Sequence, residues 1–355
     1  MRDYDGLMSE ASSTHLTPTQ FTSDVLGPLV RGFDLDRAHA REALAAILSG
    51  DIEAVHVASF LTALTAKGET PAEMTGFVDA MVDAATTFRI ADDAVDIVGT
   101  GGDQLHTVNI STMASLAVAG CGVPVAKHGN RAASSSVGSA DVLEALGVRL
   151  DLPVEGVLAC IREASIGFLF APTYHHALAH LTPIRRALGF RTVFNVLGPL
   201  ANPARVGRGV IGVAQSHHLE SMAEVLAARG VIKMLLVNAD DGLDELSLGT
   251  PSTMYVVTAT ETRVERIDAG EELGRRHSAE AIRGADVTYN VGVVHRFLAG
   301  EPGPVFDVAC ANAALALVAA DRAATLREGF ELAAESVRSG RAGECLERLI
   351  AVSND

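Results

Sequence analysis

The octapeptide DIVGTGGD at residues 96–103 says more about this chain than any other stretch. Its apolar start is typical of the end of a buried strand, and three glycines within four positions follow, closed by an acid. Glycine lets the backbone adopt a positive φ and approach a ligand closely, and successive backbone N–H groups in such a turn can bind an anion. The stretch therefore predicts a strand that ends in an anion-binding loop.

A second polar segment, TVNIST at residues 107–112, opens an apolar helical pattern that runs from Met113 to Ala119. The first turn of a helix offers free N–H groups and the positive end of the helix dipole to a phosphate group. Ordinary N-capping explains the same Ser and Thr residues, and both interpretations can hold together. Neither the dinucleotide fingerprint G-x-G-x-x-G nor the P-loop pattern fits the sequence.

Composition sets further limits. The chain has 355 residues, of which 48% are hydrophobic, and a net charge of −16, so it is long enough for two domains and ill suited to nucleic acid. Four scattered cysteines without metal or redox spacing predict reduced thiols and a cytoplasmic protein. We expect no membrane partner, because no apolar run reaches spanning length. Residues 1–17 are polar, and we expect a mobile N-terminus.

The order of patterns predicts the fold class. Ala-rich helical periodicity covers about residues 36–48 and 52–66, and the capping box Thr-Pro-Ala-Glu at 70–73 begins a third helix to about residue 87. From residue 95 onward, short Val, Ile and Leu runs alternate with helical patterns, which predicts a mostly parallel sheet. We therefore expect an α/β fold with a small all-helical N-terminal domain and a large α/β domain.

A block at residues 127–147, KHGNRAASSSVGSADVLEALG, follows a short apolar strand and joins two cations, an amide and a run of hydroxyls to a helix start near Ser139. Together with the glycine turn, it closely resembles the anthranilate phosphoribosyltransferase family. The resemblance extends from about residue 20 to the C-terminus. Further matching stretches, in the family's order, are FLFAP at 168–172, PIRR at 183–186, RTVFNVLGPLANP at 191–203 and GLDEL at 242–246.

The resemblance implies an architecture and a reaction. The helical domain would cover residues 18–90 with a returning segment at about 178–200, and the α/β domain that binds phosphoribosyl pyrophosphate would cover residues 91–177 and 201–355. The reaction would transfer the 5-phosphoribosyl group from phosphoribosyl pyrophosphate to the amine of anthranilate, in tryptophan biosynthesis. The family also implies Mg²⁺, up to two ions per subunit, and a homodimer formed through the helical domain.

Such a reaction must neutralise the departing pyrophosphate and hold the amine in line with the anomeric carbon. Lys127 offers a mobile point charge for phosphate and Arg131 a planar fork, although ordinary surface cations would look the same. The predicted binding residues for phosphoribosyl pyrophosphate are Gly99, Gly101, Gly102, Asp103, Thr107, Asn109, Ile110, Ser111, Thr112, Lys127, Arg131, Ser135 and Ser139.

The resemblance also implies the metal ligands and the anthranilate site. It places Mg²⁺ on Ser111, Asp244 and Glu245, whereas a solvated acidic turn is the alternative for the last two. The expected catalytic set is His128, Asn130 and Arg185, in which His128 could accept a proton from the amine or only position it. The expected anthranilate contacts are Gly99, Asn130, Pro172, His175 and Arg185, with Arg185 on the carboxylate, while Arg186 and Arg191 are expected in solvated or structural pairs.

Two rival functions remain open from the sequence. Pyrimidine nucleoside phosphorylases share the glycine turn and a Lys…Arg…Ser-Ser loop, but the KHGN sequence and the acid pair at residues 244–245 favour the transferase. A non-catalytic nucleic-acid-binding relative would need a basic face, which the net charge of −16 opposes.

Overall fold

The computed structural model of the chain describes residues 16–132 and 137–355. Most of the predicted mobile N-terminus, residues 1–15, and the predicted substrate-binding residue Ser135 lie outside the described residues. No helix in the described ranges combines the length and the apolar character that crossing a bilayer requires.

A seven-stranded sheet forms the centre of the described structure, in the spatial order β3-β2-β1-β4-β5-β6-β7. The first five strands in this order are parallel, and β6 and β7 are antiparallel additions at one edge. The predicted α/β class with a mostly parallel sheet is confirmed. The strands are Val95–Gly99 (β1), Val125–Gly129 (β2), Ile166–Phe170 (β3), Arg208–Gly212 (β4), Lys233–Ala239 (β5), Ser252–Thr258 (β6) and Thr262–Ile267 (β7).

The N-terminal part is helical, as predicted. The capping box is present, since the Thr70 hydroxyl accepts the N–H of Glu73 and the Glu73 carboxylate accepts the N–H of Thr70. This helix ends before the predicted residue 87, because the N–H of Thr86 already bonds to the carbonyl of Tyr174. The helices here are Pro18–Gln20, Phe21–Leu26 (a π-helix), Gly27–Val30, Arg37–Leu48, Ala54–Lys67 and Pro71–Asp83.

Further helices cover both faces of the sheet. The α-helices are Ile110–Gly120, Ser139–Ala145, Val154–Ala164, Ala171–Tyr174, Thr182–Leu188, Phe194–Leu197, Leu219–Ala228, Ala269–Leu273, Val287–Leu298, Pro304–Ala319, Leu326–Arg338 and Arg341–Asn354. Short 3₁₀ helices are His176–Leu181, Gly198–Leu200, Ser216–His218 and Ala279–Ile282.

Two apolar clusters divide the core. One lies between a sheet face and the helices Ile110–Gly120 and Pro304–Ala319. The other joins the N-terminal helices to the opposite sheet face, and it also buries Leu181, Val193 and Phe194. The segment at residues 178–200 thus packs with the N-terminal helices, while the domain bounds themselves stay a prediction.

Glu73 is a buried carboxylate that organises the helical part. It is 0% exposed, and it accepts hydrogen bonds from the N–H of Leu35 at 2.9 Å and from Nζ of Lys67 at 2.9 Å. Because removing one member of a buried network leaves its partners without hydrogen bonds, Glu73→Ala should lower the free energy of unfolding by about 3 kcal/mol. Urea titration measures the change. Glu73→Gln should lower the free energy of unfolding by less than Glu73→Ala does.

The matched control is Glu42→Ala, an exposed glutamate on helix Arg37–Leu48. It should change the free energy of unfolding by less than about 0.5 kcal/mol. A similar small loss for Glu73→Ala would show that the buried network contributes little.

Candidate active site

The candidate site lies where the strand order changes direction. The chain runs from β1 to β2 on one side, and it later places β4 on the other side of β1. In open α/β sheets, ligands bind outside the carboxyl ends of the strands at such a point. A cavity of about 330 Å³ opens there. The predicted residues that line it are Gly99, Gly101, Gly102, Asp103, Thr107, Asn109, Ser111, Lys127, His128, Asn130, Arg131, Ser139, His175, Arg185, Asp244 and Glu245.

Three predicted residues do not line this cavity. Ile110 is 0% exposed and Thr112 is 1% exposed, because the helix that turns Ser111 toward the cavity turns its two neighbours into the core. The N–H of Ile110 already bonds to the carbonyl of Val108. Pro172 is exposed outside the cavity, and Ala171 lines it instead.

The glycine turn has the conformation that its sequence predicts. Gly101 and Gly102 have φ of 65° and 83°, and the N–H of Gly101 donates to Oδ2 of Asp244 at 2.7 Å. Gly99 serves a different purpose, since a Cβ atom there would lie 2.5 Å from Oδ2 of Asp244. Gly212 is a residue that the sequence analysis missed. A Cβ atom on Gly212 would overlap the carbonyl oxygen of Asp244. The sequence feature that could have identified Gly212 is its position at the end of the strand that pairs with β1.

Asp103, Asp244 and Glu245 form what we call the acidic corner. Oδ2 of Asp103 and Oε2 of Glu245 are buried without a hydrogen-bond partner among the described residues. Burial and the charge of Asp103 raise the pKa of Asp244 to about 7. Burial and the charge of Asp244 raise the pKa of Glu245 well above its usual value. The corner is therefore short of positive charge.

A divalent cation fits this corner, because it would give the buried carboxylate oxygens the partner that they lack. Within the described ranges, no group of three His, Cys, Asp or Glu side chains forms a complete metal site. That finding agrees with Mg²⁺, which binds through one or two carboxylates and takes its remaining ligands from water and phosphate oxygens.

Lys127 differs from its predicted state. Its side chain is 1% exposed, and Nζ donates to the carbonyl of Ile97 at 2.7 Å and to Oγ of Ser111 at 3.2 Å. Burial lowers its pKa to about 8. The expectation of a mobile point charge is wrong, because this lysine is fixed at the base of the cavity and ties the helix start to β1.

Arg131 is also committed to protein groups. Its guanidinium bonds to Glu144 at 2.7 and 2.9 Å and to Asp141 at 3.1 Å. The fork predicted for phosphate therefore holds two carboxylates of helix Ser139–Ala145. Asn109 is similarly engaged, with Nδ2 donating to the carbonyl of Val137 and Oδ1 accepting from Asn290. Substrate contacts of these residues stay a prediction.

Two histidines that line the cavity, His128 and His175, are neutral. Burial lowers the pKa of His128 to about 3 and that of His175 to about 4. The two ring centroids lie 5.4 Å apart, and Nε2 of His128 is buried without a hydrogen-bond partner among the described residues. A group with so low a pKa is a weak base at neutral pH. The structure thus favours positioning over proton transfer for His128.

Arg185 is a half-buried cation that lines the same cavity. It forms no salt bridge in the described part of the chain, and Cζ lies 5.2 Å from the ring centroid of Phe194. Burial lowers its pKa. A guanidinium without a carboxylate partner is free to take a planar anion from a ligand. Phe194 was missed, although the FN pair of the matching stretch contains it.

Comparisons with known proteins identify the family to which the chain belongs. The chain matches the glycosyl transferase family, helical bundle domain, over residues 23–85, and the glycosyl transferase family, a/b domain, over residues 91–343. It is 49% identical to the anthranilate phosphoribosyltransferase of Thermomicrobium roseum over 93% of this chain and 96% of that protein. The enzyme of that name from Salinispora arenicola is 47% identical over 93% of this chain and 96% of its own length.

Solved structures show the same likeness. The crystal structure of anthranilate phosphoribosyltransferase from Thermus thermophilus is similar with a TM-score of 0.87 and 41% identity, and covers 94% of this chain and 100% of that one. The Saccharomyces cerevisiae enzyme in complex with PRPP and Mg is similar with a TM-score of 0.86 and 26% identity, and covers 96% of this chain and 99% of that one.

The acidic corner predicts a pH-dependent response to Mg²⁺. A carboxyl group whose pKa is raised in the folded protein lowers stability as the pH rises toward that pKa, because the folded state holds the proton longer than the unfolded state. Since Asp244 titrates at about 7 and a cation binds the ionised form, Mg²⁺ should raise the melting temperature more at about pH 8 than at about pH 6.

Asp244→Asn should abolish most of that difference. Asp240→Asn is the matched control, because Asp240 is exposed and paired with Arg266 outside the corner. An equal Mg²⁺ effect at both pH values would show that the corner does not bind the ion.

Proposed function

The chain belongs to the glycosyl transferase family and, within it, to the anthranilate phosphoribosyltransferases, and we propose that it transfers the 5-phosphoribosyl group from phosphoribosyl pyrophosphate to the amine of anthranilate. The products are N-(5-phosphoribosyl)anthranilate and pyrophosphate, in tryptophan biosynthesis. One observation carries the assignment to these residues. A single cavity is lined both by the carboxylates of the acidic corner beside the glycine turn and by the guanidinium-bearing Arg185, which has no salt bridge among the described residues.

The glycine turn and the acidic corner receive the phosphorylated substrate. The N–H of Gly102 makes no hydrogen bond within the described residues, so it is available to a phosphate oxygen. Asp244 and Glu245, with the hydroxyl of Ser111, would hold Mg²⁺, up to two ions per subunit. When bound, the cation neutralises the developing charge of the pyrophosphate leaving group.

The part of the cavity beside Arg185 receives anthranilate. Arg185 binds the carboxylate, and the apolar lining from Phe194, Met81 and Leu178 packs against the aromatic ring. His128 is neutral and buried, so its ring nitrogen can hydrogen bond without carrying charge. His128, together with Asn130, holds the amine in line with the anomeric carbon. This positioning lowers the entropy cost of bringing the two reacting groups together.

The proposal also covers assembly and location. On the helical part, Val30 and Val55 are 72% and 63% exposed and line a cavity of about 620 Å³, and Phe33 is 61% exposed. Exposed apolar groups of this kind mark protein interfaces, which supports a homodimer through the helical domain. Four free cysteines support a cytoplasmic location.

Charged residues on that surface should separate the subunits, because they cannot be buried without a partner. Val30→Asp combined with Val55→Asp should sediment as a monomer, whereas the unaltered protein sediments as a dimer. A monomeric unaltered protein would refute the assembly.

Loss of anthranilate fluorescence in the presence of phosphoribosyl pyrophosphate and Mg²⁺ tests the reaction directly. Arg185→Ala should weaken the binding of anthranilate by about 2–4 kcal/mol, since it removes a bidentate contact with the carboxylate. Separate Michaelis constants for the two substrates measure the effect, and the constant for phosphoribosyl pyrophosphate should change little.

Arg186→Ala is the matched control, because Arg186 is exposed on the same helix, Thr182–Leu188. Turnover of a pyrimidine nucleoside with phosphate, without any turnover of anthranilate, would favour the phosphorylase instead.

A further inference from the structure

Arg191 lies against Gly102 of the glycine turn and lines a second cavity, of about 320 Å³. The residues that follow it are buried, with Thr192 6% exposed and Val193 3% exposed. The N–H of Thr192 donates to Oδ1 of Asn195 at 2.9 Å, which holds the backbone next to Arg191. The side chain therefore starts from a rigid part of the segment that packs with the N-terminal helices.

The guanidinium of Arg191 lies directly on the glycine turn. A Cβ atom on Gly102 would overlap Nη1 and would lie 2.6 Å from Cζ of Arg191. Its charge acts on both Asp103 and Asp244, yet it forms no salt bridge with any carboxylate in the described ranges. The expectation of a solvated or structural pair for Arg191 does not describe this position.

The other cations of the site are committed elsewhere. Lys127 bonds to Ser111 and to a backbone carbonyl, and Arg131 bonds to the carboxylates of helix Ser139–Ala145. Arg185 lies against the ring of Phe194. Among the described cations, Arg191 is thus the one that rests on the glycine turn without an ion-pair partner.

We propose that Arg191 is a further substrate-binding residue, whose guanidinium binds the diphosphate of phosphoribosyl pyrophosphate beside Gly102. This inference rests on the proposed function. A planar guanidinium matches two phosphate oxygens at once, and it lies against the turn whose Gly102 N–H is available to the same group. The leaving pyrophosphate gains negative charge as the anomeric C–O bond breaks, so a cation placed there lowers the barrier as well as the dissociation constant.

Calorimetry with Mg²⁺ alone, and with inorganic pyrophosphate plus Mg²⁺, tests the proposal without the transfer reaction. Arg191→Ala should lower the affinity for pyrophosphate by about tenfold to a hundredfold. Mg²⁺ alone should bind as tightly as before or more tightly, because the variant removes a cation that competes at the acidic corner. The affinity of Arg191→Lys for pyrophosphate should lie between that of the unaltered protein and that of Arg191→Ala, since lysine keeps the charge and loses the planar fork.

Kinetics give a second measurement. Arg191→Ala should raise the Michaelis constant for phosphoribosyl pyrophosphate by a similar factor and leave that for anthranilate within about twofold, whereas Arg185→Ala gives the opposite split. Arg186→Ala, a neighbouring exposed arginine, should bind pyrophosphate like the unaltered protein.

Unchanged affinity of Arg191→Ala for pyrophosphate would overturn the proposal. Equal losses of Mg²⁺ and pyrophosphate, together with a lower melting temperature, would also overturn it by assigning Arg191 a structural role. If the unaltered protein fails to consume anthranilate while pyrophosphate binding still depends on Arg191, the proposed function fails and the role of Arg191 in anion binding is supported.

Discussion

The site depends on the close approach of Asp244 to the ends of two adjacent strands. Its carboxylate accepts the N–H of Gly101, and its carbonyl oxygen stands where a side chain on Gly212 would lie. Gly99 and Gly212 are paired positions at the ends of β1 and β4, so both strands must end in glycine. A single methyl group at either position would push the acidic corner away from the turn. Backbone packing thus sets the distance between the carboxylates and the backbone amides of the glycine turn.

The same packing brings the carboxylates of the acidic corner together in a buried position. Lys127 is the fully buried cation of the described chain, and it stands between the charges of Asp96 and Glu245. An ionised carboxylate without a partner costs several kcal/mol in such surroundings, so the corner holds protons instead. The raised pKa values of Asp244 and Glu245 express that preference. The same geometry that destabilises the free protein at high pH leaves buried carboxylate oxygens for which a divalent cation would be a partner.

The sequence predicts the parts of the site that local spacing decides. The turn at residues 96–103, its positive φ angles and the mostly parallel sheet are of this kind. The return of residues 178–200 to the helical part came from family resemblance, because no local pattern encodes it. Side-chain direction was harder to predict. Which neighbour of Ser111 faces the core depends on how its helix is rotated, and the burial of Lys127 depends on strands that meet only in the fold. Gly212 has no signal until β4 is known to pair with β1.

One buried carboxylate connects strand β2 to the stretch at residues 191–203 through hydrogen bonds. Asp96 accepts the N–H of His128 at 3.1 Å and Nδ2 of Asn202 at 2.7 Å, and Nδ2 of Asn202 also reaches the carbonyl of Ala126. Asn202 closes the segment that carries Arg185 and Arg191, so that segment is fixed to the sheet at one end and packs with the N-terminal helices at the other. Arg185, which lines the cavity, and Arg191, which lies against Gly102, thus belong to one segment that is held at both ends. The positions of both cations relative to the glycine turn therefore depend on the contacts of Asp96 and of the N-terminal helices as well as on their sequence neighbours.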